Sequence, residues 1–156
     1  MDFRNAKELL KVCQEQGLSI SAVMLQRELT EGEQDPEETD RKMDRVLEIM
    51  KSAASTPIHT PVKSMGGLIG GEAKKISDHK DTGKGLCGDL LERAVIYAMA
   101  TLETNASMGL IVASPTAGSA GIVPGLLLAL QEVYNYSDKY IQKALFNAGA
   151  IGYLAM

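Results

Sequence analysis

The sequence predicts a mostly α-helical domain with glycine-rich loops, and three observations support this prediction. Apolar residues recur at three- and four-residue spacing in several segments. Segments rich in glycine and proline separate them. The second half of the chain keeps the helical spacing with very few charges. A chain of 156 residues fits about one domain, since domains have roughly 100 to 200 residues.

The composition excludes several classes of protein. Hydrophobic residues make up 45% of the chain, which is too many for a disordered segment. The net charge of -4 offers no basic face for nucleic acid. Two cysteines cannot form the disulfide framework of a small secreted domain, and the first residues lack the apolar core of a signal peptide. We therefore expect a cytoplasmic protein that does not bind nucleic acid.

Charged side chains are unevenly distributed along the chain. Residues 1–51 carry 20 of them, residues 52–104 carry 12 and residues 105–156 carry only 4. An apolar surface of that size rarely stays exposed on a soluble monomer. We therefore expect further sequence or another subunit to cover the back half.

Three helices are predicted in the charged front of the chain. The first covers residues 2–16 and ends before Gly17, and the second covers residues 19–29. The third begins after Asp35, because an aspartate suits the N-cap and Pro36 suits the first helical position. Their charged faces predict solvent exposure and no chemistry.

The middle of the chain, residues 55–88, is predicted to be a glycine-rich loop region. Pro57 and Pro61 disfavour helical backbone in the residues that precede them. Residues 83–88 match the dinucleotide-binding pattern G-x-G-x-x-G, which functions only after a buried strand. Residues 74–82 do not form such a strand pattern. A flexible entry to the next helix is therefore favoured, and a phosphate or nucleotide site is the alternative.

Further helices are predicted in the apolar back half. One begins at Asp89, which forms a capping signature with Glu92, another begins near Ile122, and the last begins at Ser137. The uncharged run at 104–131 is long enough to span a membrane, but two prolines and four glycines interrupt it. A buried loop between two helices is favoured, so no membrane partner is expected.

The cysteines and histidines form no recognisable metal site. Cys13, Cys87, His59 and His79 show neither C-x-x-C nor H-x-x-x-H spacing. An iron-sulfur cluster is normally held by several thiolates. We therefore predict no metal ligands in this chain.

Residues 114–121, Ser-Pro-Thr-Ala-Gly-Ser-Ala-Gly, have the chemistry of an anion-binding loop. Small side chains let the backbone approach a ligand, consecutive amides can converge on a carboxylate, and the helix that follows directs its positive end there. Thr116 and Ser119 add hydroxyl donors. A tightly packed corner between two helices explains the same composition, so both interpretations stay open.

Several segments, in order along the chain, resemble the alpha chain of iron-sulfur-dependent L-serine dehydratases. They are residues 67–73, 88–89, 105–109, 114–125 and 147–152. The resemblance implies a lyase that removes water from L-serine to give aminoacrylate, which hydrolyses to pyruvate and ammonia. Such an enzyme belongs to amino-acid catabolism and supports gluconeogenesis.

The resemblance also implies a substrate loop, a cofactor and partners. Substrate binding falls within residues 113–121, on Ser114, Thr116, Ala117, Gly118, Ser119 and Gly121. The family uses a [4Fe-4S] cluster in which one iron without a cysteine ligand acts as a Lewis acid, and its ligands are expected outside this chain. The implied partners are L-serine, a beta subunit or beta domain and the remaining part of the alpha chain. The catalytic residues stay unassigned.

On this basis we expect an incomplete part of a larger all-α catalytic domain, which is inactive alone and can self-associate. Its expected parts are a charged helical front at 1–54, the loop region at 55–88 and apolar helices at 89–156. Two other functions remain as alternatives. One is a helical interaction module without catalysis, and the other is a phosphate or nucleotide binder that uses residues 83–88.

Overall fold

The computed structural model describes residues 3–32, 35–85, 87–114 and 116–155. Within these ranges the regular secondary structure is entirely α-helical, which confirms the predicted fold class. The helices are α1 (Ala6–Gln16), α2 (Ile20–Glu31), α3 (Pro36–His59), α4 (Glu72–Asp81), α5 (Asp89–Ala106), α6 (Ile122–Tyr134) and α7 (Asp138–Ala155). Among the described residues, no helix is both long enough and apolar enough to cross a membrane.

The chain divides into two compact units. The first consists of Met1–Arg45 with Asp138–Met156, and the second of Val46–Ser137. In the first unit, α2 packs against α1 and α7 around an apolar cluster. The buried members of that cluster are Phe3, Leu9, Val23, Met24 and Ala150. This unit therefore has its own hydrophobic core.

Local capping sets both ends of α1. The Asn5 side chain accepts a hydrogen bond from the Glu8 amide at 3.0 Å, so the helix begins at Ala6 and not at residue 2. Gly17 ends it in the left-handed conformation, as the sequence predicts. Ser19 caps α2 in the same way, since its hydroxyl accepts from the Ala22 amide at 3.3 Å.

Two helices extend into residues 55–88, the segment predicted to be a glycine-rich loop region. Helix α3 continues through Pro57 to His59. A proline in a helix leaves the carbonyl four residues before it without its usual donor. Here that carbonyl belongs to Ala53, and the Thr104 hydroxyl of α5 donates to it at 2.8 Å. The distant hydroxyl thus replaces the missing helical bond.

The second of these helices is α4, which lies in the middle of the predicted loop region. Its N-cap is Gly71, which has a positive φ of 92° and offers no capping side chain. The amides at its start are held by Glu103, a residue of α5. A helix whose start depends on a residue so far along the chain shows no local start signal in the sequence.

Candidate functional site

Loop 114–121 connects to α6, and glycines fix the start of that helix against α5. A Cβ atom on Gly121 would lie 2.6 Å from the Ala98 carbonyl oxygen. A Cβ atom on Gly125 would lie 2.8 Å from the Ala94 carbonyl oxygen. Any larger residue would separate the two helices at these positions. The close approach of α5 and α6 therefore sets the position of the loop.

Charged side chains join the same two helices on one edge. Arg93 of α5 pairs with Glu132 of α6, and the Tyr97 hydroxyl donates to Glu132 at 2.5 Å. Burial, together with that hydrogen bond, raises the pKa of Tyr97 to about 12. Hydrogen bonds from Arg93 and Lys80 lower the pKa of Asp89 to about 2. The two bonds to Glu132 hold α5 and α6 together, whereas those of Asp89 lie within α5 and between α4 and α5.

Hydroxyl groups shape the interior of the loop. Ser119 Oγ donates to the Ser114 carbonyl oxygen at 3.0 Å and accepts from the Thr116 amide at 3.3 Å. The Thr116 hydroxyl lies 3.0 Å from Ser119 Oγ and accepts from the Ser119 amide at 3.3 Å. This reciprocal pair resembles a capping box, in which two side chains satisfy each other's backbone amides.

The exposed part of the loop is its middle. Thr116, Ala117 and Gly118 are exposed, whereas Gly121 is buried against α5. Within the described residues, the amides of Ala117 and Gly118 have no hydrogen-bond acceptor. Asn105 of α5 holds the loop from the other side, because its side-chain amide donates to the Ala117 carbonyl oxygen at 3.5 Å.

The structure therefore gives the six predicted substrate residues different positions in one loop. Ser114 contributes a carbonyl oxygen and Ser119 a hydroxyl to the internal hydrogen bonds. Ala117 and Gly118 present amides, Thr116 an exposed hydroxyl, and Gly121 the contact with α5. Pro115, which belongs to the same predicted loop, lies outside the described residues.

Carboxylates of this chain accept hydrogen bonds at the starts of α4 and α5. Glu103 accepts from the amides of Gly71 at 3.1 Å and Ala73 at 2.7 Å. Glu92 accepts from the Cys87 amide at 3.2 Å. No carboxylate accepts a hydrogen bond at the start of α6 from the described part of the chain. Of these three helix starts, α6 is the one where no described carboxylate accepts a hydrogen bond.

This arrangement does not support a nucleotide site at residues 83–88. A helix, α4, precedes the glycine pattern where the fingerprint requires a strand. The Glu92 carboxylate already lies at the start of the following helix. That helix begins at Asp89 as predicted, but its N-cap is Gly88, so Asp89 is not the capping residue. Leu86, a member of the pattern, lies outside the described residues.

Sequence reasoning missed Glu103 and Asn105, which support the loops. Glu103 is only 1% exposed, although it is charged. Ile96 and Ala100 precede it at helical spacing, and both are buried. The spacing of apolar residues therefore places the Glu103 carboxylate on the buried face of α5. A buried charge requires hydrogen-bond partners, and this would have identified Glu103 as an anchor.

The donor set does not fit an iron-sulfur cluster. Among residues 3–32, 35–85, 87–114 and 116–155, no three His, Cys, Asp or Glu side chains are grouped to hold a metal ion. Cys13 is half-buried in the first unit, and Cys87 is exposed in the second. His59 and His79 are exposed on different helices. No chemical step in this chain can be assigned to a cluster.

Comparison with known proteins identifies similar chains. The family described as Serine dehydratase alpha chain matches residues 15–156. The chain is 42% identical to the "Probable L-serine dehydratase, alpha chain" of Bacillus subtilis, covering 97% of this chain and 50% of that one. It is 37% identical to the "L-serine dehydratase, alpha chain" of Peptoniphilus asaccharolyticus, covering 96% and 51%. It thus spans about half the length of these curated relatives.

Proposed function

Since this chain belongs to the serine dehydratase alpha-chain family, we propose that it binds L-serine within an enzyme that dehydrates and deaminates that amino acid. Such a lyase removes the β-hydroxyl group as water to give aminoacrylate. Aminoacrylate then hydrolyses to pyruvate and ammonia. The share of this chain is to bind and orient the substrate through loop 114–121.

The observation that carries this proposal is a pair of exposed amides in the loop that precedes α6. The amides of Ala117 and Gly118 are exposed and have no acceptor within the described residues, so a carboxylate can accept from both. The positive end of the helix dipole favours that negative charge. The Thr116 hydroxyl shapes the loop beside them, because it lies 3.0 Å from Ser119 Oγ and accepts from the Ser119 amide. A carboxylate held by the two exposed amides orients the amino acid at a defined point of the loop.

The remaining parts of the enzyme lie outside this chain in our proposal. A [4Fe-4S] cluster, as the resemblance implies, would use ligands from the rest of the alpha chain, because the residues described here do not fit one. A beta chain or beta domain would complete the enzyme in the cytoplasm. The 156-residue chain alone would then bind substrate without forming pyruvate.

Amide chemical shifts in the ¹⁵N-labelled chain test the binding step. Titration with L-serine should shift the amides of Ala117 and Gly118 and leave those of Gly71 and Cys87 unchanged. L-threonine and acetate should shift the same amides, because they share the carboxylate. Shifts confined to the starts of α4 or α5, or no shift anywhere at saturating L-serine, would contradict the proposal.

A pair of serine variants provides the control. Ser119→Ala removes the hydroxyl that shapes the loop, and we expect L-serine to bind about fivefold more weakly, since a hydrogen bond contributes roughly 1 kcal/mol. Ser77→Ala makes the same chemical change on α4 and should leave binding unchanged. If the two variants weakened L-serine binding equally, the loop would not be part of the binding site.

A further inference from the structure

The pair of helices α5 and α6 has two edges that differ in what covers them. On one edge, Lys51 and Ser55 of α3 line a cavity of about 200 Å³ together with Tyr97 and Glu132. The hydrogen bond between Tyr97 and Glu132 and the ion pair of Glu132 with Arg93 close this edge. The chain itself therefore covers one side of the helix pair.

The opposite edge is apolar and open. Gly121 lies against Ala98 and Gly125 against Ala94, so α5 and α6 run antiparallel. On this edge α5 presents two exposed apolar residues and α6 presents two more, which together we name the apolar edge. They are Leu91, Val95, Ile122 and Leu126, with exposures between 41% and 68%. Leu91 and Leu126 also line a cleft of about 370 Å³ between the two helices.

This edge has the character of an interface. Position 132 is the first charged residue of α6, so nothing charged interrupts the apolar side of the helix along its first ten residues. Contiguous apolar patches of this kind on a soluble protein mark surfaces that another polypeptide covers. The relatives supply a candidate for that polypeptide, because they are about twice as long as this chain.

We propose that the apolar edge is the docking surface for the part of the alpha chain that the relatives possess and this chain does not span. The proposal rests on the proposed function, because it takes the same enzyme as the assembled state. Beyond that function, it identifies the surface that the missing part of the alpha chain covers. The cleft beside Leu91 and Leu126 would receive apolar side chains of that segment.

The position of Ile122 links this surface to the substrate loop. Ile122 follows Gly121 directly, so the apolar edge begins where loop 114–121 ends. Excluding water from that loop strengthens the hydrogen bonds to a bound carboxylate. Docking of the missing part should therefore tighten the binding of L-serine as well as cover the apolar residues.

Thiol labelling of single-cysteine variants tests the docking. Ile122→Cys and Leu126→Cys are made in a Cys13→Ser, Cys87→Ser background, with His79→Cys as the exposed control on α4. Each variant is labelled with a maleimide in the 156-residue chain and in a longer chain, and the label is measured by mass spectrometry on the peptide that carries the introduced cysteine. The longer chain joins this sequence to the part of the Bacillus subtilis alpha chain that it does not span. If the joined chain does not fold, the full-length Bacillus subtilis chain is labelled at the position aligned with Leu126.

We expect labelling at Ile122→Cys and Leu126→Cys to slow by about tenfold or more in the longer chain, because a docked segment must open before the reagent enters. Labelling at His79→Cys should stay unchanged. Unchanged rates at the two apolar positions would overturn the proposal. So would protection in the short chain that rises with protein concentration, because a second copy would then be the occupant. The amide shifts of Ala117 and Gly118 on addition of L-serine are measured in a separate experiment. Their absence would overturn only the proposed function.

Discussion

The loops at 64–71 and 114–121 both contain glycines and both lead into a helix, yet they differ in what meets the helix start. At α4, the buried carboxylate of Glu103 accepts the amides of Gly71 and Ala73. At α6, the Ile122 amide donates to the Ser119 carbonyl oxygen at 3.1 Å, and no described carboxylate accepts a hydrogen bond there. The described part of the chain thus places a carboxylate at one helix start and none at the other.

This difference shows why glycine-rich composition does not identify an anion site. Both loops let the backbone approach a negative group, and both helices direct a positive end toward it. The deciding factor is whether a carboxylate from elsewhere in the fold already accepts those amides. At α4, the Glu103 carboxylate accepts those amides itself, so that helix start is structural. At α6, no described carboxylate accepts them, and this is where we propose that a substrate carboxylate binds.

Removal of Glu103 should give the largest effect. Glu103→Ala leaves the buried amides of Gly71 and Ala73 without acceptors, and we expect the free energy of unfolding to fall by about 3 kcal/mol. Urea denaturation measures this loss. Formate should restore part of it in the variant, because the small anion can enter the space that the side chain vacates.

Two comparisons separate this effect from general salt stabilisation. Chloride at the same ionic strength should not restore the Glu103→Ala variant, and formate should not stabilise the wild-type chain to the same degree. Glu103→Gln keeps one acceptor oxygen and should lose less stability than Glu103→Ala. Equal responses to formate and chloride would show that no carboxylate site exists at α4.

Local patterns predicted most helices, and distant contacts explain the exceptions. The capping residues Asn5 and Ser19 lie beside the helices they start, so the front of the chain is readable from sequence with small errors in the bounds. The start of α4 depends on Glu103, and the passage of α3 through Pro57 depends on Thr104. Neither partner is near in sequence, so the local patterns around α4 and Pro57 do not show which distant residue completes them.

The candidate site shows the same limit. The residues of loop 114–121 are consecutive, so sequence alone could group them and assign them the chemistry of a carboxylate site. It could not tell that the Ala117 and Gly118 amides stay open while those at Gly71 and Ala73 are taken. That difference depends on where Glu103 lies in the folded chain.

The open loop should respond to loss of its hydroxyl pair with a smaller loss of stability and a clear loss of binding. Thr116→Val removes the acceptor of the Ser119 amide, and we expect about 1 kcal/mol less stability. L-serine should bind about fivefold more weakly, because the loop loses the hydroxyl pair that shapes it. Thr82→Val, which removes a hydroxyl bonded to the His79 carbonyl oxygen at the end of α4, is the matched control. If Thr82→Val weakened L-serine binding equally, loop 114–121 would have no special role.

The smallest expected effect is a pH dependence of stability, which should appear at loop 64–71 and not at loop 114–121. The Gly70 amide donates to the Glu72 carboxylate at 2.6 Å, and this bond, followed by that from the Glu72 amide, lowers the pKa of Glu72 below its ordinary value of 4.5. A folded-state pKa below the unfolded value adds stability above pH 4.5, and that stability is lost as the pH falls through the folded pKa. The loss should be small, because the Glu72 carboxylate is close to solvent. The urea midpoints of the wild-type chain and Glu72→Gln should therefore differ slightly at neutral pH and converge in acid.

Amide chemical shifts over the same pH range compare the two loops directly. In the wild-type chain the Gly70 amide shift should follow the titration of Glu72. The amide shifts of Ala117 and Gly118 should not change with it, since residues 114–121 contain no titratable side chain. A Gly70 amide shift that stays constant through this titration would mean that Glu72 does not hold loop 64–71 in solution.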